Sequence, residues 1–128
     1  MSSSGSDRRI ERFPTAFPVP FSRAVKAGGF LFLSGVLPMD AQARIVEGDI
    51  TVQTRTVLEA VAATLRDAGA GMGDVVRVTA WLSDFADFAG FNDEYRRHFP
   101  DGLPARSTVR ADLYGGARLE VEVQAWVG

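Results

Sequence analysis

The chain has 128 residues, 46% of them hydrophobic, with 14 basic against 16 acidic side chains and a formal net charge of -2. That length supplies one ordinary domain with a modest core, and the charge balance gives no electrostatic case for phosphate-backbone binding. There is no cysteine and one histidine, which excludes disulfides, thiolate nucleophiles, cysteine-ligated metals and a His-rich metal site.

Residues 1–12, MSSSGSDRRIER, are polar and lack the apolar stretch of a secretory signal. They are expected to form a loose N-terminal segment ahead of a single domain over 13–128, and cytoplasmic residence is the default expectation. Phe13 to Pro20 alternates bulky apolar residues with prolines, as in an irregular packed approach. Arg23 to Ala27 and Phe30 to Ser34 read as strands joined by Gly28-Gly29, a pair able to adopt the positive φ of a tight turn. The uncharged run Ala27 to Met39, bounded by Lys26 and Asp40, falls short of the roughly 20 residues of a membrane span.

Asp49 is placed to cap a helix over Ile50 to Ala68, where Thr54, Leu58, Val61, Leu65 and Ala68 recur on one face and Gly69 can end it. Val75 to Leu82 has the Val, Thr and Trp content of a strand. Asp84 can cap a second helix, on which Phe88, Phe91, Tyr95 and Phe99 share a broad face. Arg106 to Asp112 and Arg118 to Val127 complete the series as strands. In the last, Leu119, Val121, Val123, Ala125 and Val127 alternate with Arg118, Glu120, Glu122, Gln124 and Trp126, the period of a half-buried strand. The order β-β-α-β-α-β-β predicts an α+β domain with helices on one face of a mixed sheet and the other face open to partner subunits.

Four fragments together, LFLSG at Leu31 to Gly35, FNDEY at Phe91 to Tyr95, PARS at Pro104 to Ser107 and LEVE at Leu119 to Glu122, resemble the Rid (YjgF/YER057c/UK114) family. The resemblance spans about residues 17–128, and AVKAGGFLFLSG at Ala24 to Gly35 strengthens it. It implies a chorismate-mutase-like α+β fold, assembly as a homotrimer with sites between subunits, and hydrolysis of small enamine or imine carboxylates such as 2-aminoacrylate to 2-oxo acids and ammonia. Neither cofactor nor metal is implied, and neither a nucleic-acid nor a membrane partner is expected.

Carried over residue by residue, the resemblance makes Arg106 the clamp for the substrate carboxylate, since a planar guanidinium donates two parallel hydrogen bonds. It makes Glu120 the residue that positions water and moves protons. The strand alternation alone describes Glu120 equally as a solvated acid, and Glu122 shares its face. Gly35 and Thr108 match positions that offer backbone N–H groups to the substrate, Thr108 standing where archetypal members carry cysteine. Ser34 can hydrogen-bond across the site or simply belong to a turn, and Asn92 can organise the site or cap locally.

The departure from the family pattern is Val19-Pro20-Phe21-Ser22-Arg23, where archetypal members resemble Gly-Pro-Tyr-Ser-Gln. Phe21 keeps an aromatic wall for the substrate without the hydroxyl. Arg23 either contacts a second acidic group or solvates its strand. Two alternatives therefore stand beside the deaminase: a carboxylate-binding or protein-interaction trimer without efficient turnover, and a related enzyme with a divergent substrate. RNA processing is disfavoured, because Trp81 and Trp126 make no stacking platform and His98 lacks a catalytic partner histidine.

Overall fold

The computed structural model describes residues 9–128. The expected loose segment lies outside the described residues over 1–8, and its end takes part in a strand that the sequence pattern did not predict. The strands are β1 (Glu11–Phe13), β2 (Ala24–Ala27), β3 (Phe30–Leu33), β4 (Val75–Leu82), β5 (Ala105–Arg110) and β6 (Leu119–Trp126). The helices are α1 (Ile50–Asp67) and α2 (Phe88–Arg96). One sheet in the order β1-β2-β3-β6-β4-β5 contains all six strands, antiparallel except for the β4–β5 pair. That parallel pair requires a crossover, which α2 supplies.

Local chemistry accounts for the boundaries. Gly28 and Gly29 both have positive φ, +59° and +84°, so the β2–β3 hairpin closes in two residues with Ala27 opposite Phe30. Asp49 Oδ1 accepts from Val52 N–H at 3.0 Å and starts α1. The helix ends in a Schellman arrangement, with Gly69 at φ +85°, its N–H donating to Arg66 O and that of Ala70 to Leu65 O. Asp84 caps a short 3-10 turn, Phe85–Asp87, and α2 begins only after it.

Both helices pack on one sheet face. Thr54, Leu58, Val61 and Leu65 of α1 and Phe91 and Tyr95 of α2 are buried against Leu31, Val78, Ala80, Val121 and Val123. Phe88, expected on the packing face of α2, is instead 42% exposed, at the helix start in edge contact with the Phe85 ring. The opposite face carries no helix among the described residues. Phe30, Phe32 and Trp126 are exposed there, with Phe30 in ring contact with both of the others. No helix among the described residues is long and apolar enough to cross a membrane.

Candidate functional site

Arg106 lies on β5, the edge strand. Register pairs it with Val78, which in turn pairs with Val123, so its side chain leaves the sheet on the helix-covered face. There α2 meets it with residues at the i, i+3, i+4, i+7 spacing of one helical face. Arg106 Nη2 donates to Asn92 Oδ1 at 2.8 Å. The guanidinium carbon lies 4.7 Å from the Tyr95 ring centroid, 5.0 Å from that of Phe91 and 5.9 Å from that of Phe88. The cation is therefore held by one amide and three aromatic rings, and no carboxylate among the described residues pairs with it.

A cavity of about 350 Å³ opens beside it, lined by Asn92, Tyr95, Arg96, Leu103, Pro104 and Arg106. Tyr95 is buried and its hydroxyl has no hydrogen-bond partner. Burial pushes its pKa up to about 12 against the opposing charge of Arg106, so it remains a neutral phenol at physiological pH.

Thr108 follows two residues along β5. Ala111 N–H donates to Leu82 O of β4. Since amides alternate in direction along a strand, those of Val109 and Ser107 also face β4, and those of Thr108 and Arg106 face the free edge. The expected Thr108 backbone donor is thus directed away from its own sheet, beside the Arg106 side chain.

The position of α2 depends on a second polar cluster. Glu94, buried on α2, accepts from Arg55 of α1 at 3.4 Å, from Arg97 at 3.4 Å, and lies 2.8 Å from His98 Nε2. Burial pushes the Glu94 carboxyl upward, but the His98 and Arg55 contacts outweigh it and hold the pKa below the usual range. This cluster ties α2 to α1 on the side away from Arg106.

Glu120 lies on the other face of the sheet. It pairs with Trp81, which also pairs with Val109, and all three belong to the face that lacks helices. Beyond β3, Val36 and Val121 exchange backbone hydrogen bonds at 2.7 and 3.1 Å, which brings Gly35 under the Glu120 carboxylate. A Cβ on residue 35 would collide with Glu120 Oε2 and lie 3.1 Å from Cδ, so the close approach itself requires glycine. Burial, and secondarily the neighbouring charge of Glu122, raises the Glu120 pKa above the ordinary glutamate value. Neither acid has a cationic partner among the described residues.

Ser34 adjoins this half. Its Oγ donates to Ser22 O at 2.7 Å and its N–H to Arg23 O at 3.2 Å, which fixes the segment carrying Phe21 against β3. Phe21 is 54% exposed. Arg23, read either as a contact for a second acidic group or as a solvated strand residue, pairs through Nη1 with Asp67 at 2.8 Å and donates from Nε to Thr64 at 2.8 Å, both on α1.

The predicted residues therefore form two groups on opposite sheet faces, Arg106, Asn92 and Thr108 in one, Glu120, Gly35 and Ser34 in the other. The sequence reading missed the roles of Phe88, Phe91 and Tyr95 as walls around Arg106 and of Arg96 in lining the cavity. Three aromatics at helical spacing with an asparagine among them carried that signal, but the same spacing also describes core packing. Among the described residues no group of three His, Asp or Glu side chains is placed to hold a metal ion.

The family described as "Endoribonuclease L-PSP" matches residues 14–127. A RutC family protein of Pyrococcus abyssi is 45% identical over 109 residues, covering 84% of this chain and 86% of that protein. The chloroplastic Reactive Intermediate Deaminase A of Arabidopsis thaliana is 39% identical over 114 residues, covering 88% of this chain and 60% of that one. The crystal structure of yeast Mmf1 superposes with a TM-score of 0.88 at 30% identity, covering 94% of this chain and 100% of that one.

Proposed function

This chain belongs to the YjgF/Rid family, and from that premise we propose that it hydrolyses small enamine and imine carboxylates, such as 2-aminoacrylate, at clefts between the subunits of a homotrimer. The observation that carries the reading is the separation of Arg106 and Glu120. An unpaired guanidinium at the free edge and a carboxyl of raised pKa on the open face cannot meet within one subunit. They can meet when the edge of one copy docks on the open face of another. Phe30, Phe32 and Trp126 give that face the apolar surface a stable subunit contact requires.

In the proposed cycle Arg106 binds the substrate carboxylate through its fork of N–H donors, oriented by Asn92, and the Thr108 N–H adds a backbone donor. The raised pKa lets Glu120 carry a proton closer to neutrality than an ordinary glutamate. It protonates the enamine carbon to give the iminium, then as carboxylate takes a proton from water as the water oxygen bonds to the iminium carbon. Glu120 returns that proton to the carbinolamine nitrogen, the C–N bond breaks as the hydroxyl proton passes to the Glu120 carboxylate, and ammonia and the 2-oxo acid leave. The iminium is itself electrophilic, so the reading assigns no metal or cofactor. Cytoplasmic residence is part of the same proposal.

Freshly generated 2-aminoacrylate and a panel of larger 2-imino acids test it, with spontaneous decay as the reference. Acceleration by the intact chain, lost in Arg106→Ala and in Glu120→Gln with assembly preserved, is the expected result; full turnover in both variants would refute the assignment. Phe21 favours a second reading, a carboxylate-binding trimer with little turnover, because its ring offers no hydroxyl to orient water. Tight binding of 2-oxo acids without imine hydrolysis would select that reading.

A further inference from the structure

We infer that the cavity beside Arg106 accepts a 2-imino or 2-oxo acid bearing a second carboxylate at its far end, and that Arg96 is the residue that binds this second charge. The inference rests on the reading of Arg106 as the clamp for the first carboxylate. Arg96 lines the same cavity and follows Asn92 by four residues on α2, so the two side chains stand on adjacent turns of one helix face. Asn92 holds Arg106. Two arginines thereby line one cavity.

Within one subunit no acid of the described residues answers them. The described residues place no carboxylate in an ion pair with Arg96 or Arg106. Glu94 of the same helix is turned to Arg55, Arg97 and His98, and Asp93 does not line the cavity. Two like charges lining one open cavity repel, and a dianion relieves that repulsion at both ends. The rest of the lining is Asn92, Tyr95, Leu103 and Pro104, mostly apolar. Two cations in a largely apolar lining suit a ligand whose two carboxylates are joined by a short methylene chain. Arg23, the sequence candidate for a second charge, is engaged by Asp67 and Thr64. Arg96 is exposed and has no such partner among the described residues.

The test compares 2-oxoglutarate with 2-oxobutanoate, which share the 2-oxo carboxylate end and differ in the second carboxylate. Calorimetry at low ionic strength on the full chain should give about tenfold tighter binding of 2-oxoglutarate, the size of one charge-assisted contact at a partly solvated site. Arg96→Ala should reduce the affinity ratio to near one, and Arg96→Lys should restore part of it. Arg66→Ala, which removes the same charge from the last turn of α1 outside the cavity, should preserve the ratio. Equal affinities in the intact chain, or a preference that survives Arg96→Ala, would overturn the inference. A preference that depends on Arg96, found without hydrolysis of any imine, would leave this site standing and refute the deaminase reading. Imine turnover with no dicarboxylate preference would do the reverse.

Discussion

Gly35→Ala isolates one contact on which the Glu120 half of the site depends. The backbone at Gly35 is outside the left-handed region, so alanine meets no conformational penalty there. The obstacle is the Glu120 side chain: the added Cβ overlaps Oε2 and lies 3.1 Å from Cδ and 3.4 Å from Cγ, so the whole carboxylate must swing aside. Glu120 is only partly buried and can rotate toward the open face. Its displacement should therefore cost little stability, at most about 1 kcal/mol, the scale of a strained rotamer. Loss of a positioned acid–base group lowers turnover by about 10²–10⁴, a larger effect in free-energy terms. Urea denaturation and imine hydrolysis should thus respond unequally, with a small loss of stability and a large loss of kcat/KM. In a Glu120→Ala background the collision is gone, and Gly35→Ala should become neutral or stabilising by up to about 1 kcal/mol. An equal stability cost in both backgrounds, or undiminished turnover in the single variant, would refute the reasoning.

Three further perturbations probe other parts of the structure. Asn92→Ala removes the hydrogen bond that orients Arg106 and should raise KM for carboxylate substrates about tenfold with a smaller effect on kcat; steady-state kinetics in which KM stays fixed would contradict this role. Glu122→Gln removes the lesser of the two causes that raise the Glu120 pKa, so the limb of the pH–rate profile governed by Glu120 should move to lower pH without reaching the value of a free glutamate. A limb that stays in place would show that Glu122 does not act on it. Glu94 has a lowered folded-state pKa, so its contribution to stability is present above the unfolded-chain value and lost as pH falls through the folded one. Glu94→Gln should accordingly cost about 1–3 kcal/mol near pH 7, with Arg55 and Arg97 largely exposed, and progressively less in acid. Denaturation curves separated by the same amount at both pH values would exclude that linkage.

Much of the fold was legible because its signals are local. Strand β4 was bounded by its composition, and α1 by Asp49 and Gly69, whose capping chemistry needs no tertiary partner. The alternation in β6 identified Leu119, Val121, Val123 and Ala125 as the buried set. Strand β1 escaped notice because Glu11, Arg12 and Phe13 have no strand pattern of their own; it exists only by pairing with Lys26, Val25 and Ala24. The position of Arg23 was ambiguous for the same reason, since Asp67 is far along the chain and only the packing of α1 brings it within reach.

The site divides along the same line. The family resemblance singled out Arg106 and Glu120, but strand parity alone could not place them on opposite faces, because the parallel β4–β5 register fixes the face of Arg106. The requirement for glycine at position 35 likewise becomes visible only when Val36 pairs with Val121 and Glu120 is brought over it. Arg96 carried no signal in sequence; its significance comes from sharing a cavity with Arg106 and from the absence of an acid there.

The central claim is that Arg106 of one subunit works with Glu120 of another. Arg106→Ala and Glu120→Gln chains, each inactive alone, can be unfolded together and reassembled as mixed oligomers. A site shared between two copies is intact when an unaltered Arg106 meets an unaltered Glu120, so an equal mixture should regain about one quarter of the activity of the unmodified protein. A mixture that assembles fully and stays as inactive as its parents would contradict the account.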